Sequence, residues 1–143
     1  MTNVANSIRA VATGLLVGVC WAALFGYIGR TLRATYPDEM HDPLWWEAIA
    51  TISKALQYVV PGVVTGYFSR SKPMAMGALV CFLLAVMLNT YGGTTYLAME
   101  WSAAGGMEAW VMVLATGIAY ATIGACAAHA GSALRSNPSL ERP

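Results

Sequence analysis

The chain has 143 residues, of which 57% are hydrophobic and 10% charged, and its net charge is +1. Soluble domains carry roughly a quarter of their residues as charges, so a water-soluble core is excluded on composition, and the mean hydropathy of +0.55 agrees. The absence of a Lys/Arg cluster argues against nucleic acid as a partner, and three cysteines with no CxxC pair argue against a disulfide framework or a thiol-redox site.

Four runs account for the composition: Ala10–Gly29, Ala48–Ser69 with Lys54 inside it, Pro73–Met99 and Ala109–Leu134. Each meets the requirement of about 20 residues, at about 1.5 Å rise, for crossing a hydrocarbon layer about 30 Å thick. The expectation is an all-α polytopic membrane protein with four transmembrane helices in an antiparallel bundle. As a single membrane domain over 1–143, it places helices near 8–35, 43–70, 73–91 and 107–135. A polar loop is expected at 36–42 and a short interfacial helix at 94–104.

At the start of the chain, Arg9 precedes an apolar run in a signal-sequence-like pattern, read here as a retained membrane helix. Within it, Gly14, Gly18, Ala22 and Gly26 recur every four residues. That spacing makes a flat stripe on one face, against which another backbone can pack closely. Pro37 ends any continuation of this helix. The connection that follows holds Asp38, Glu39, His41 and Asp42, a solvated acidic loop whose adjacent residues lack helical metal-ligand spacing. Asp42-Pro43 reads as an N-cap followed by proline at the first helical position.

The second helix opens with Trp45 and Trp46, residues suited to the membrane interface. Lys54 lies nine residues on, about 13 Å along the axis, and leans back toward that interface. Its candidate counter-ions are Glu100 and Glu108, with Glu47 leaning away. Lys54, Tyr58 and Pro61 share one face and Gln57 adds polarity beside them, so these four are the candidate functional polar residues. Pro61 cannot donate to the Gln57 carbonyl, which predicts a kink with a free acceptor. Gly62 and Gly66 continue a small-residue face.

The tight 69–73 connection predicts an antiparallel hairpin with the third helix. That helix, PMAMGALVCFLLAVMLNTY, is greasy and poor in small residues beyond its start, which suits a lipid-facing or partner-facing position. Tyr96 and Trp101 are interfacial anchors. In the fourth helix Gly117, Gly124 and Gly131 repeat at seven, keeping one seam against a neighbour. His129 near its end reads as a packing or interfacial residue. Cys20, Cys81 and Cys126 lie inside apolar runs and read as buried small hydrophobes.

With four helices, both termini share a side with Arg9, Arg70, Lys72, Arg135 and Arg142 against one acid, Glu141. The other side holds Arg30 and Arg33 against Asp38, Glu39, Asp42, Glu47, Glu100 and Glu108. The positive-inside rule then puts both termini in the cytoplasm, and the Ala/Gly-rich character suggests a bacterial inner membrane. No catalytic constellation, phosphate-cradling loop or metal-ligand pattern appears; the reading is a non-enzyme without cofactor. The leading expectation is an accessory subunit that uses its glycine faces to pack on another integral membrane protein or on itself, in contact with the bilayer. The alternative is a small homodimeric transporter or channel with a polar path along the second helix.

Overall fold

The computed structural model describes residues 2–35, 43–90 and 107–136. These residues form four helices, α1 (Thr2–Thr35), α2 (Pro43–Phe68), α3 (Pro73–Thr90) and α4 (Met107–Arg135), and the described chain is all-helical. Three of them, through Val4–Leu32, Ala48–Phe68 and Trp110–Arg135, are long and apolar enough to cross a membrane. In α3 the apolar stretch is shorter, Pro73–Leu88. The loop at 36–42 and the interfacial helix at 94–104 lie outside the described residues. Helix α1 starts at Thr2, not near residue 8, because TNVANSIRA contains no proline or glycine to stop it.

The inward faces repeat at helical spacing. On α2 the buried residues are Tyr58, Pro61, Gly62, Thr65 and Gly66, continued by Ser69 just past its end; on α3 they are Gly77, Val80, Cys81, Leu84 and Ala85. Both sets follow the i, i+3, i+4, i+7 pattern of one buried stripe. Ala10, Gly14 and Gly18 supply the α1 contribution, and Val113, Gly117, Gly124, Ala127, Ala128 and Gly131 that of α4.

Helix α3 is not peripheral. Val80, Cys81, Leu84 and Ala85 are fully buried and form the core with Tyr58, joined by Val11, Leu15, Leu88 and Tyr120. The expectation of a lipid-facing or partner-facing third helix fits only its outer side, at Met74, Leu79 and Met87, while its inner side fills the spaces beside the glycines of its neighbours. A Cβ at Gly18 would strike Leu84 Cδ1, one at Gly117 would lie 2.8 Å from Phe82 Cε2, and one at Gly124 would lie 2.5 Å from Cys81 Sγ. The large side chains of α3 fill the space that small residues leave on α1 and α4. Apolar on all sides, α3 has no polar face to keep out of a core.

Backbone-on-backbone contact joins α2 to α4. A Cβ on Gly66 would strike the Ala128 carbonyl oxygen, one on Gly131 the Val63 carbonyl oxygen, and one on Gly62 would come 2.8 Å from Ala127 Cβ. Close approach of this kind is how membrane helices gain dispersion energy when lipid is as apolar as the side chains. Gly14 fits beside Thr65 Oγ1, with the Pro61 carbonyl oxygen 3.3 Å from the position of its absent Cβ. Gly14, Gly18, Gly62, Gly66, Gly117, Gly124 and Gly131 are therefore covered within the chain, and Gly26 is not.

The α2–α3 turn is fixed by hydrogen bonds. Ser69 N donates to the Thr65 carbonyl at 2.8 Å, and Ser69 Oγ to the Ser71 carbonyl at 2.8 Å. Lys72 takes a positive φ of 52°, the left-handed conformation that reverses the chain into α3. The Arg135 guanidinium, at the end of α4, donates to the Tyr67 and Ser69 carbonyls. It satisfies acceptors that the end of α2 leaves without helical donors. The start of α1, the 69–72 turn and the end of α4 thus lie at one end of the bundle.

Candidate functional site

At the end away from that turn the packing opens. The inward stripe of α1 is buried at Ala10, Gly14 and Gly18, half-buried at Ala22 and exposed at Gly26. A Cβ on Gly26 would meet nothing within 4 Å. The divergence of α1 from α2 leaves a cleft of about 680 Å³, within the range of about 300–1,000 Å³ typical of small-molecule sites.

One wall is α1 from Val19 to Leu32, with Phe25, Ile28 and the small residues Ala22, Gly26 and Gly29. This wall is about 20 Å long at helical rise. The opposite wall is mixed: Ser53, Lys54 and Gln57 of α2 and Thr116 of α4 bring polar groups to it, beside the apolar Ile49, Ala50 and Leu88. Tyr58 and Tyr120 also line the cleft, their rings stacked at 3.7 Å between centroids and 15° between planes. Tyr58 is buried in this stack and Tyr120 half-buried, so the pair gives the cleft an aromatic floor.

Lys54 lies one turn before Tyr58 and continues the buried stripe of α2 into the open region. It is exposed, and it faces the cleft. The side chains of Glu47, Glu100 and Glu108 lie outside the described residues, so the expected counter-ions are not placed. Below the cleft, Cys81 Sγ donates to the Tyr58 carbonyl at 3.2 Å, and Thr65 Oγ1 to the Pro61 carbonyl at 2.7 Å. These bonds satisfy polar atoms around the proline, through which α2 runs as one helix.

Of the four candidate polar residues, Lys54, Gln57 and Tyr58 meet at the cleft. Pro61 lies beneath it, buried. Among the predicted packing residues, Ala22 and Gly26 line the cleft while Gly14, Gly18, Gly62, Gly66, Gly117, Gly124 and Gly131 pack inside the bundle. Tyr120 and Thr116 are additions that sequence reasoning missed. A signal for Tyr120 existed: it is three residues after Gly117 and four before Gly124, so it shares the glycine face. Trp21 packs against Phe25, with centroids 5.2 Å apart, and its buried indole N–H has no acceptor among the described residues.

No group of three metal-ligating side chains occurs among the described residues. Cys81 is buried as expected, whereas Cys20 and Cys126 are exposed on the outer faces of their helices, contrary to the reading of all three as buried. His129 is likewise exposed, its carbonyl accepting from Ser132 Oγ at 2.8 Å.

Set against known protein families, curated proteins and solved structures, the chain matches none. The functional reading rests on the geometry alone.

Proposed function

We propose that this is a small integral membrane protein of the transporter class, with the cleft as its substrate site. The carrying observation is convergence: Lys54, Gln57 and Tyr58 of α2 meet Thr116 and Tyr120 of α4 across one cleft. An ionisable side chain within a lipid-length helix is costly and suits a bundle interior or a hydrated cavity. The substrate class that fits is a small organic anion with an apolar or aromatic body. Its charge would face Lys54 and its body would lie between the stacked tyrosines and the α1 wall. Four helices rarely enclose a path by themselves, so the working unit is a homodimer. In this reading the chain crosses the bilayer four times, with both termini on the cytoplasmic face of a bacterial inner membrane. The excess of Arg9, Arg70, Lys72, Arg135 and Arg142 at the terminal end supports that orientation.

One observation favours a second reading. Only 11% of the α1 span is buried within the chain, against 28% for α4. A helix so lightly covered suits docking on another integral membrane protein, as an accessory subunit would. Cross-linking in native membranes separates the two, since the transporter reading expects a dimer and the subunit reading a larger complex.

The substrate site is tested with two probes that share a tail and differ in head charge, decyl sulfate and decyltrimethylammonium. Native mass spectrometry of the intact protein should retain the sulfate about tenfold better, equivalent to about 1.4 kcal/mol. Arg9→Gln, at the other end, should keep that preference, and Lys54→Met added to Arg9→Gln should remove it. Equal retention of both probes, or a preference that survives the double substitution, would count against the cleft as an anion site.

A further inference from the structure

A second opening lies at the terminal end of the bundle, independent of the first. It encloses about 390 Å³ and is lined by Asn6, Arg9 and Thr13 of α1 with Phe68 and Arg70 from the end of α2 and its turn. Asn6, Arg9 and Thr13 are spaced three and four apart, so they share one helix face. Arg9 and Arg70, distant in sequence, are brought to the same opening by the antiparallel packing of α1 on α2. Both are exposed, and no carboxylate lines the opening among the described residues.

Two guanidiniums at one cleft repel each other, the more so where lipid lowers the local dielectric. Arg70 is not needed to cap α2, because Arg135 already donates to the Tyr67 and Ser69 carbonyls there. The bonds of Ser69 to Thr65 and Ser71 hold the backbone beside Arg70. The site thus offers planar, forked donors from two elements, with Asn6 and Thr13 beside them, an arrangement that matches phosphate oxygens.

Depth selects the carrier of that phosphate. Arg9 lies near the start of the Val4–Leu32 stretch, directly before its uncharged run Ala10–Gly29, and Arg70 closely follows the last residue of the second span. Cations at the ends of lipid-length helices lie at headgroup level, where basic pockets between helices take anionic headgroups. Phe68, 55% exposed, gives the same opening an apolar side for the first acyl carbons. We infer that Arg9 and Arg70 clamp the phosphate of one anionic phospholipid from the leaflet at the terminal end. The lipid ties α1, otherwise lightly packed, to the α2–α3 turn.

The test is native mass spectrometry of the full chain in detergent, with phosphatidylglycerol, phosphatidylcholine of the same acyl chains, or inorganic phosphate added. One phosphatidylglycerol per chain should be retained about tenfold over phosphatidylcholine, which has the same phosphate but carries a choline cation that two guanidiniums repel. Arg9→Gln and Arg70→Gln should each reduce the preference, and Arg70→Lys should reduce it less than Arg70→Gln, keeping the charge but losing the fork. Arg30→Gln, at the opposite end, should leave it intact. Equal retention of the two lipids would overturn the inference, as would unchanged binding by folded Arg9→Gln and Arg70→Gln proteins. Competition by inorganic phosphate at equal concentration would also overturn it, by assigning the site to a free anion. Helical content from circular dichroism establishes that each variant compared is folded.

Discussion

Glycines separate the closed part of this molecule from the open part. At Gly66 the missing side chain lets α2 lie on the Ala128 backbone, and a main-chain oxygen there cannot move aside as a side chain could. Gly66→Ala should therefore destabilise the protein by about 1–3 kcal/mol, the usual cost of overpacking. At Gly26, eight residues beyond Gly18 on the same α1 stripe, a Cβ meets nothing. Gly26→Ala should stabilise by about 0.5–1 kcal/mol, because alanine restricts the unfolded chain more than glycine does. Denaturant titrations followed by circular dichroism in detergent compare the two; destabilisation by Gly26→Ala would mean that a side chain there meets a neighbour, and an unchanged Gly66→Ala protein that α2 and α4 are not in backbone contact there. The sequence made the four-residue spacing of Gly14, Gly18, Ala22 and Gly26 legible as a small-residue face. It could not distinguish a face packed on the same chain from one packed on a partner or left open, since the residues that would fill the space are distant in sequence.

At the scale of the element, helix α3 is where sequence reasoning went furthest astray. Its uniform hydrophobicity is compatible with lipid and with a core, and periodicity cannot choose between them when every face is apolar. The choice is made by volume: Leu84, Phe82 and Cys81 fit the glycine positions of α1 and α4. Such complementarity predicts a non-additive pair. Gly18→Ala should crowd Leu84, and Leu84→Ala should leave a cavity costing about 2–5 kcal/mol. In the double variant the new methyl group occupies part of that cavity, so its destabilisation should fall short of the sum by at least about 0.5 kcal/mol. Strict additivity in a double-mutant cycle would mean that α1 and α3 do not meet there. Helix α2 was read more accurately. The face shared by Lys54, Tyr58 and Pro61 is the inward one, and the structure extends it to Thr65 and Ser69. What the sequence could not supply was direction: a lysine near a helix end reads equally as snorkelling to the interface or facing a cavity.

Taken whole, the molecule is packed at the end that carries the 69–72 turn and open at the other. Arg135 ties α4 to the end of α2, and the glycine contacts of α1, α2 and α4 close the bundle up to Gly18 and Tyr58. Beyond them α1 parts from its neighbours, and no pattern in a single helix encodes such a divergence. That is why the cleft, with Thr116 and Tyr120 in its lining, was not legible although half of its polar groups were.

The most direct test asks whether the cleft is open to water and to a solute. Cys20 and Cys126, the exposed thiols, are replaced by alanine, while the buried Cys81 is kept. A single reporter is then introduced either in the cleft, as Ser53→Cys, or on an exposed apolar face, as Ile118→Cys. In proteoliposomes a membrane-impermeant methanethiosulfonate should modify the Ser53→Cys protein at least about tenfold faster than the Ile118→Cys protein, because lipid disfavours the reactive thiolate. Decyl sulfate should slow the first reaction alone. Equal rates at the two positions, or no effect of decyl sulfate, would contradict a solvent-accessible, anion-binding cleft.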